Sequence, residues 1–117
     1  MREAGKGKII CIGSIAGKIG GVFAGPHYCA SKDGIHSFVK WAANNGAKHG
    51  ILVNGIAIGA IVTDMTVNEP LIKDEMVPLG RLGQPEDIAE VVSFLASQHS
   101  NYITGCVLDV NGGFLMN

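Results

Sequence analysis

Charge is scarce in this chain. Of its 117 residues only 16% are charged, and the formal net charge is −1. A protein that neutralises phosphates carries a basic stripe, so the chain has no electrostatic footprint for nucleic acid or for an anionic membrane surface. Long apolar runs are lacking too. None reaches transmembrane length, and no basic-then-apolar signal segment opens the chain, which therefore reads as cytoplasmic. Cysteine is limited to Cys11, Cys29 and Cys106, each inside an apolar segment, and these are expected to be buried free thiols. The four histidines pair with no other histidine or cysteine at ligand spacing, so no metal site is expected. Gly13-Ser14-Ile15-Ala16-Gly17 has Ile12 where a Gly-x-Ser-x-Gly nucleophile elbow needs glycine, which sets a serine hydrolase of that type aside.

What is abundant is apolar residues, 47%, and glycine, 17 residues. Together they suit a buried sheet with tight turns, and the length allows one small domain at most. Lys8 to Gly13 is short, β-branched and almost continuously apolar, the pattern of a strand covered on both faces. Ile51 to Ile58 and Cys106 to Val110 repeat it. A glycine-rich loop, Ile15 to His27, leads into a helix from about Tyr28 to Lys48, with a solvent face of Asp33, Ser37, Lys40, Asn44 and Lys48. A second flank of that helix carries Ala30, Gly34, Phe38 and Trp41, small residues plus aromatics that suit close helix–helix contact. Another helix starts at Pro85, a residue at home in the first helical position, with Glu86 and Asp87 in the first turn where the helix dipole favours negative charge. Three strands joined by two long helices predict an α/β fold with parallel strands and right-handed crossovers.

The chemistry concentrates on Tyr28-Cys29-Ala30-Ser31-Lys32. Tyr28 and Lys32 are spaced i,i+4 and share one helix face. That face continues through Ile35, Phe38, Val39 and Ala42, a stripe expected to be buried. A free phenol has a pKa of about 10, and a neighbouring ammonium brings it toward the range in which it works as a general acid or base. A hydroxyl such as that of Ser14, at the end of the first strand, can polarise a substrate carbonyl oxygen. Taken alone, a Tyr-x-x-x-Lys match is short, and a core tyrosine beside a snorkelling lysine would also satisfy it.

Gly13-Ser14, the glycine loop and Tyr-Cys-Ala-Ser-Lys resemble the short-chain dehydrogenase/reductase family. So do Val53-Asn54-Gly55-Ile56-Ala57-Ile58-Gly59-Ala60-Ile61-Val62-Thr63, Gly80-Arg81-Leu82-Gly83-Gln84-Pro85-Glu86-Asp87-Ile88, Tyr102-Ile103-Thr104-Gly105 and Asn111-Gly112-Gly113. The matches come in family order along the whole chain. The resemblance implies residues 1–117 as a single partial domain, the C-terminal half of an NAD(P)-binding, Rossmann-like, doubly wound parallel sheet, with a substrate flap at about 64–84. It implies oxidoreduction of a carbonyl/alcohol pair with Ser14, Tyr28 and Lys32 as catalytic residues. Tyr28, Lys32, Gly59, Ile61 and Thr63 would hold the nicotinamide half of NAD or NADP. Its finer likeness is to 3-oxoacyl-carrier-protein reductases and to glucose- or sugar-alcohol-type dehydrogenases.

The family's Thr-Gly-x-x-x-Gly-x-Gly phosphate loop, its Asn-Ala-Gly and its catalytic asparagine are not among these residues, and Met1 to Gly7 resembles an internal stretch. The chain is therefore expected to be truncated and inactive alone. The alternative expectation is a non-catalytic fragment or subunit-binding module. By the same resemblance a homo-oligomer would form through helix 28–48, and through helix 85–97 with strand 106–110. One departure stands in the second strand: Ile58 replaces a proline usual in the family, which restores a backbone N–H and is expected to loosen the loop after it.

Overall fold

A computed structural model describes residues 1–64, 66–68 and 71–117. The first strand, β1 (Gly7–Ser14), pairs in parallel with β2 (Ile51–Ile58), in register from Gly7 opposite Ile51 to Ser14 opposite Ile58. On its other side β2 pairs in parallel with β3 (Val107–Val110), from Gly55 opposite Val107 to Ile58 opposite Val110. The sheet order is β1-β2-β3. Between β1 and β2 come a single helical turn, α1 (Ala16–Ile19), and the long helix α2 (Pro26–Gly46); α3 (Pro85–Ala96) precedes β3.

Helices lie on both faces of the sheet, but only β2 is buried along its length; β1, expected to be covered on both faces, leaves Ile9 and Ile12 exposed because it stands at the edge of this sheet. Side chains alternate along a strand. The α2 residues Val39 and His36 lie against Gly55 and Gly13. Lys8, of opposite parity to Gly13, sends its Nζ to the Ser97 carbonyl and to Ser100 Oγ (2.7 Å), just beyond the end of α3. The α2 side buries Val39, Ala43, Ile51, Val53 and Ala57, and on the other parity of β2 Ile56 is buried completely.

The main differences from expectation concern α2. It starts at Pro26, two residues before Tyr28, because proline's fixed φ favours the first helical position and Gly25 enters it extended. It ends at Gly46, and Ala47–His49 forms a 3-10 turn. Its buried residues are Cys29, His36, Val39, Ala43 and Gly46, a helical repeat rotated away from the stripe expected to be buried. Of that stripe only Val39 is buried; Ile35 and Ala42 are half-buried, and Phe38 is exposed. The cause is close approach by small residues. A methyl group at Gly17 of α1 would sit 2.6 Å from the Asp33 nitrogen and 2.8 Å from the Lys32 carbonyl carbon, and one at Gly46 would sit 3.0 Å from the Ile51 oxygen. These backbone contacts set the rotation of the helix and leave its bulky flank outside.

Elsewhere the boundaries move by a residue or so: α3 ends at Ala96, and β3 begins at Val107. Cys29 is buried and Cys11 half-buried, its thiol pKa pushed up by burial. Cys106 is exposed, because it stands at the entrance to the outer strand and not within it. No described helix is long and apolar enough to cross a membrane.

His36 is the unexpected occupant of the core. It is 5% exposed, and among the described residues its Nε2 is the buried side-chain atom without a hydrogen-bond partner. Burial pushes its pKa down; the charges of Lys18 and Lys40 act the same way, and Asp33 and Asp109 oppose them. The unfolded chain therefore takes up this proton more readily than the folded one. The resulting stability is present above about pH 6.5, the unperturbed value, and is lost as pH falls through the lower folded-state value. Urea midpoints measured on either side of about pH 6.5 should fall on the acid side, and His36→Leu should flatten that fall. An unchanged slope in the variant would assign the dependence to another group.

Candidate active site

Ser14 is the last residue of β1 and is buried. Its Oγ accepts a hydrogen bond from the Ala16 N–H at 3.1 Å, so the turn into α1 fixes the side chain. Tyr28 lies in the first turn of α2 and is 41% exposed. One turn further on, Lys32 sets its Nζ 5.5 Å from the centre of the Tyr28 ring, within cation–π range. The same Nζ donates to the Ile12 carbonyl at 3.4 Å. Lys32 thus stands behind Tyr28, against β1, and is half-buried.

Ser14 and Tyr28 line one cavity of about 120 Å³, with Ile19, Phe23, Gly59 and Ile72. Gly59, Ile61 and Thr63 line a neighbouring cavity of about 410 Å³, with Thr66, Leu71 and Leu82. The two share Phe23, Ile58, Gly59, Ala60 and Ile72, so they adjoin along the segment leaving β2. Both open beyond the carboxyl ends of the strands, where open α/β sheets bind ligands. Of the six residues singled out from sequence, five reach these cavities and Lys32 supports one of the five from behind.

The segment after β2 is held firmly. Ile58 continues the strand, paired with Ser14 on one side and Val110 on the other. Its carbonyl accepts from the Ile15 N–H (3.0 Å), and the next N–H, of Gly59, donates to Val110 (2.9 Å). At Ile58 itself the ladder on both sides holds the backbone in the strand. Gly59 is required by packing: a methyl group there would lie 2.6 Å from Asn111 Cβ and 2.7 Å from its Cα. Beyond it, Ile61 bridges to Gly83, with Val62 N–H to the Gly83 carbonyl and Gly83 N–H to the Ala60 carbonyl, both 2.9 Å.

The segment expected to be a flap is tied at its far end. The Leu82 N–H donates to Asp74 Oδ1 (2.8 Å), and Arg81 pairs with Asp87 through two hydrogen bonds of 2.7 and 3.0 Å. Arg81 and the Gln84 N–H bring the Asp87 carboxyl down to about 2. Of its apolar residues, Val77 packs inward, Ile72 lines both cavities, Leu71 borders the larger one but is exposed, as are Val67 and Met76; Met65 lies outside the described residues.

Three contributors were not singled out from the sequence. Phe23 walls both cavities and packs edge-on against Phe114, ring centres 5.9 Å apart, joining the glycine loop to the chain's last residues. Thr66 lines the larger cavity; its spacing from Thr63 is a turn signal that could have pointed to it. Asn54 is buried in β2 and hydrogen-bonded to the segment before β3. Among the described residues no group of His, Cys, Asp and Glu side chains could hold a metal.

A three-stranded parallel sheet with helices on both faces, and with Ser14 and the lysine-backed Tyr28 beside the cavities at its carboxyl edge, has the architecture of half a Rossmann-type fold. The family model described as enoyl-(acyl carrier protein) reductase matches residues 1–115. The chain belongs to the short-chain dehydrogenase/reductase family. It is 45% identical over 120 residues to the (3R)-3-hydroxyacyl-CoA dehydrogenase of Rattus norvegicus, covering 99% of this chain and 46% of the relative. It is 43% identical over 121 residues to the 3-oxoacyl-[acyl-carrier-protein] reductase of Pseudomonas aeruginosa, covering 100% of this chain and 49% of the relative. The crystal structure of the 3-oxoacyl-[acyl-carrier protein] reductase from Brucella melitensis superposes with a TM-score of 0.93 at 36% identity, over 99% of this chain and 45% of that one. The chain spans about half the length of the curated relatives it matches.

Proposed function

We propose that residues 1–117 form the catalytic half of an NAD(P)-dependent short-chain dehydrogenase/reductase that interconverts a carbonyl and an alcohol, with activity requiring more than this segment. The observation that carries the reading is the pair of adjoining cavities, one with Ser14 and Tyr28, the other with Gly59, Ile61 and Thr63. Tyr28 passes a proton to or from the substrate oxygen, Ser14 Oγ orients that oxygen, and Lys32 supports Tyr28 and reaches for the nicotinamide ribose. A nicotinamide, when bound, supplies or accepts the hydride. The polar groups there suit its carboxamide end: the backbone of Ile61 and the hydroxyl of Thr63 on a cavity of about 410 Å³. Residues 64–84 act as the substrate flap. The names of the relatives and the apolar walls formed by Phe23, Leu71, Ile72 and Leu82 support a 3-oxoacyl/3-hydroxyacyl thioester as the substrate class. A cytoplasmic setting accords with that chemistry.

A second reading, a subunit-binding module, draws on exposed apolar surface. The outer edge of β1 is unpaired in this sheet, and Ile9 and Ile12 on that strand are exposed. Phe38 and Trp41 lie exposed side by side on α2, ring centres 6.1 Å apart, and support an oligomer contact through that helix; the exposed Phe94 of α3 and Leu108 of β3 support one through α3 with β3.

Titration of the chain with NADH and with NADPH, followed by nicotinamide fluorescence, separates the readings. Weak, saturable and equal binding of both is expected, because the two share their nicotinamide end. Tight binding of one in preference to the other would overturn the restriction to the nicotinamide half. No binding by a chain whose circular dichroism shows folded helix would favour the module.

A further inference from the structure

We infer that Thr66 is a positioning residue which turns the Thr63 hydroxyl into a hydrogen-bond acceptor facing the larger cavity; the inference rests on the reading of that cavity as the nicotinamide site. The argument is a count of protons. Thr66 Oγ1 touches four groups: the Thr63 N–H at 2.9 Å, Thr63 Oγ1 at 3.1 Å, the Ile61 carbonyl at 2.9 Å and the Thr63 carbonyl at 3.4 Å. A hydroxyl has one proton to give and two lone pairs to receive. The Thr63 carbonyl already accepts from the Thr66 and Val67 N–H groups, both at 2.9 Å, and lies at the far limit of a hydroxyl contact. The Thr66 proton therefore goes to Ile61. Its lone pairs take the Thr63 N–H and, at 3.1 Å, the Thr63 hydroxyl proton.

That assignment settles what Thr63 has left. Its proton is engaged inward, so toward the cavity it presents lone pairs only. An acceptor there recognises an N–H₂ donor such as that of a carboxamide and gains nothing from a methyl ketone in the same place. One side chain thus fixes both groups of the subsite, the Ile61 peptide and the Thr63 hydroxyl, from its own place on the cavity wall. Thr66 is half-buried, as this role requires.

The test uses the 117-residue chain and two probes, reduced nicotinamide mononucleotide and its 3-acetylpyridine analogue, which lacks the amide donor. Wild type should bind the carboxamide about 3- to 10-fold more tightly, the worth of one hydrogen bond. Thr66→Val keeps the shape and removes the hydroxyl, and should erase most of that preference. Thr66→Ser should restore it. Amide hydrogen exchange gives a readout without ligand: the Thr63 N–H should exchange faster in Thr66→Val and be protected again in Thr66→Ser. A Thr66→Val chain that keeps the full preference overturns the inference and leaves the cavity assignment standing. So does a wild-type chain that binds both probes equally. A wild-type chain that binds neither probe overturns the cavity assignment and this inference with it.

Discussion

Tyr28→Phe is expected to lower kcat by about 10²- to 10⁴-fold in a polypeptide that joins this segment to the remaining length of its relatives, the range that positioned acid–base groups supply. The substitution removes one oxygen and keeps the ring that lines the smaller cavity together with Ser14. On the proposed chemistry that oxygen exchanges the substrate's proton, and water must replace it. KM for the nicotinamide cofactor should change little, because Lys32 and the Gly59–Thr63 segment remain. Stability should stay within about 0.5 kcal/mol, since Tyr28 is 41% exposed and its replacement opens no core cavity. Steady-state kinetics with parallel thermal unfolding make the check. A loss of activity matched by a loss of folded protein, or a kcat within a few-fold of the parent, would remove Tyr28 from the proton path.

Asn54→Ala is expected to carry a large stability cost, about 1–3 kcal/mol, from two part-buried backbone groups left unpaired. Asn54 is 3% exposed. Its Nδ2 donates to the Ile103 carbonyl at 2.8 Å, and its Oδ1 accepts from the Cys106 N–H at 3.1 Å. Neighbouring bonds repeat the theme: the Val53 N–H reaches Thr104 Oγ1 at 3.0 Å, and the Gly105 N–H reaches the Val53 carbonyl at 2.7 Å. This lacing delivers the chain into β3 in register with β2. Without Asn54 the register of β3 loses its anchor, and Asn111, packed against Gly59, moves with it. Urea denaturation should show a lower midpoint at unchanged slope. Asn54→Asp keeps the acceptor for Cys106 but sets a carboxylate oxygen against the Ile103 carbonyl in a buried site, so at neutral pH it should cost at least as much as Asn54→Ala. A shift below about 1 kcal/mol for Asn54→Ala would mean that relaxation or water satisfies both groups.

Much of this was legible because it is local. The strand Ile51–Ile58 was placed to the residue, since a short β-branched run between Gly50 and Gly59 has little alternative. Pro85 with its acidic first turn placed the start of α3, and Asp87 does accept the Gln84 N–H there. The i,i+4 spacing was enough to set Lys32 against the Tyr28 ring. Periodicity failed where size outweighed hydrophobicity. Phe38 belongs to the apolar stripe by count, but α2 turns its small residues and His36 to the sheet, and no single-residue scale contains that choice. Asn54 sat inside a quoted motif as an ordinary strand residue, because its two partners lie about fifty positions away.

The sequence by itself determined the class of fold, because strand composition and helix caps act over a few residues; i,i+4 spacing put Tyr28 and Lys32 on one face, and the order of the motifs carried the resemblance to the family. Only the tertiary structure decided the rotation of α2, the burial of His36, the meeting of Ser14 and Tyr28 with the Gly59–Thr63 segment, and the tie between Thr66 and Thr63. Each of these depends on how closely two backbones approach or on where a single proton goes, and both are fixed by packing between elements distant in the chain or by the folded path of a loop.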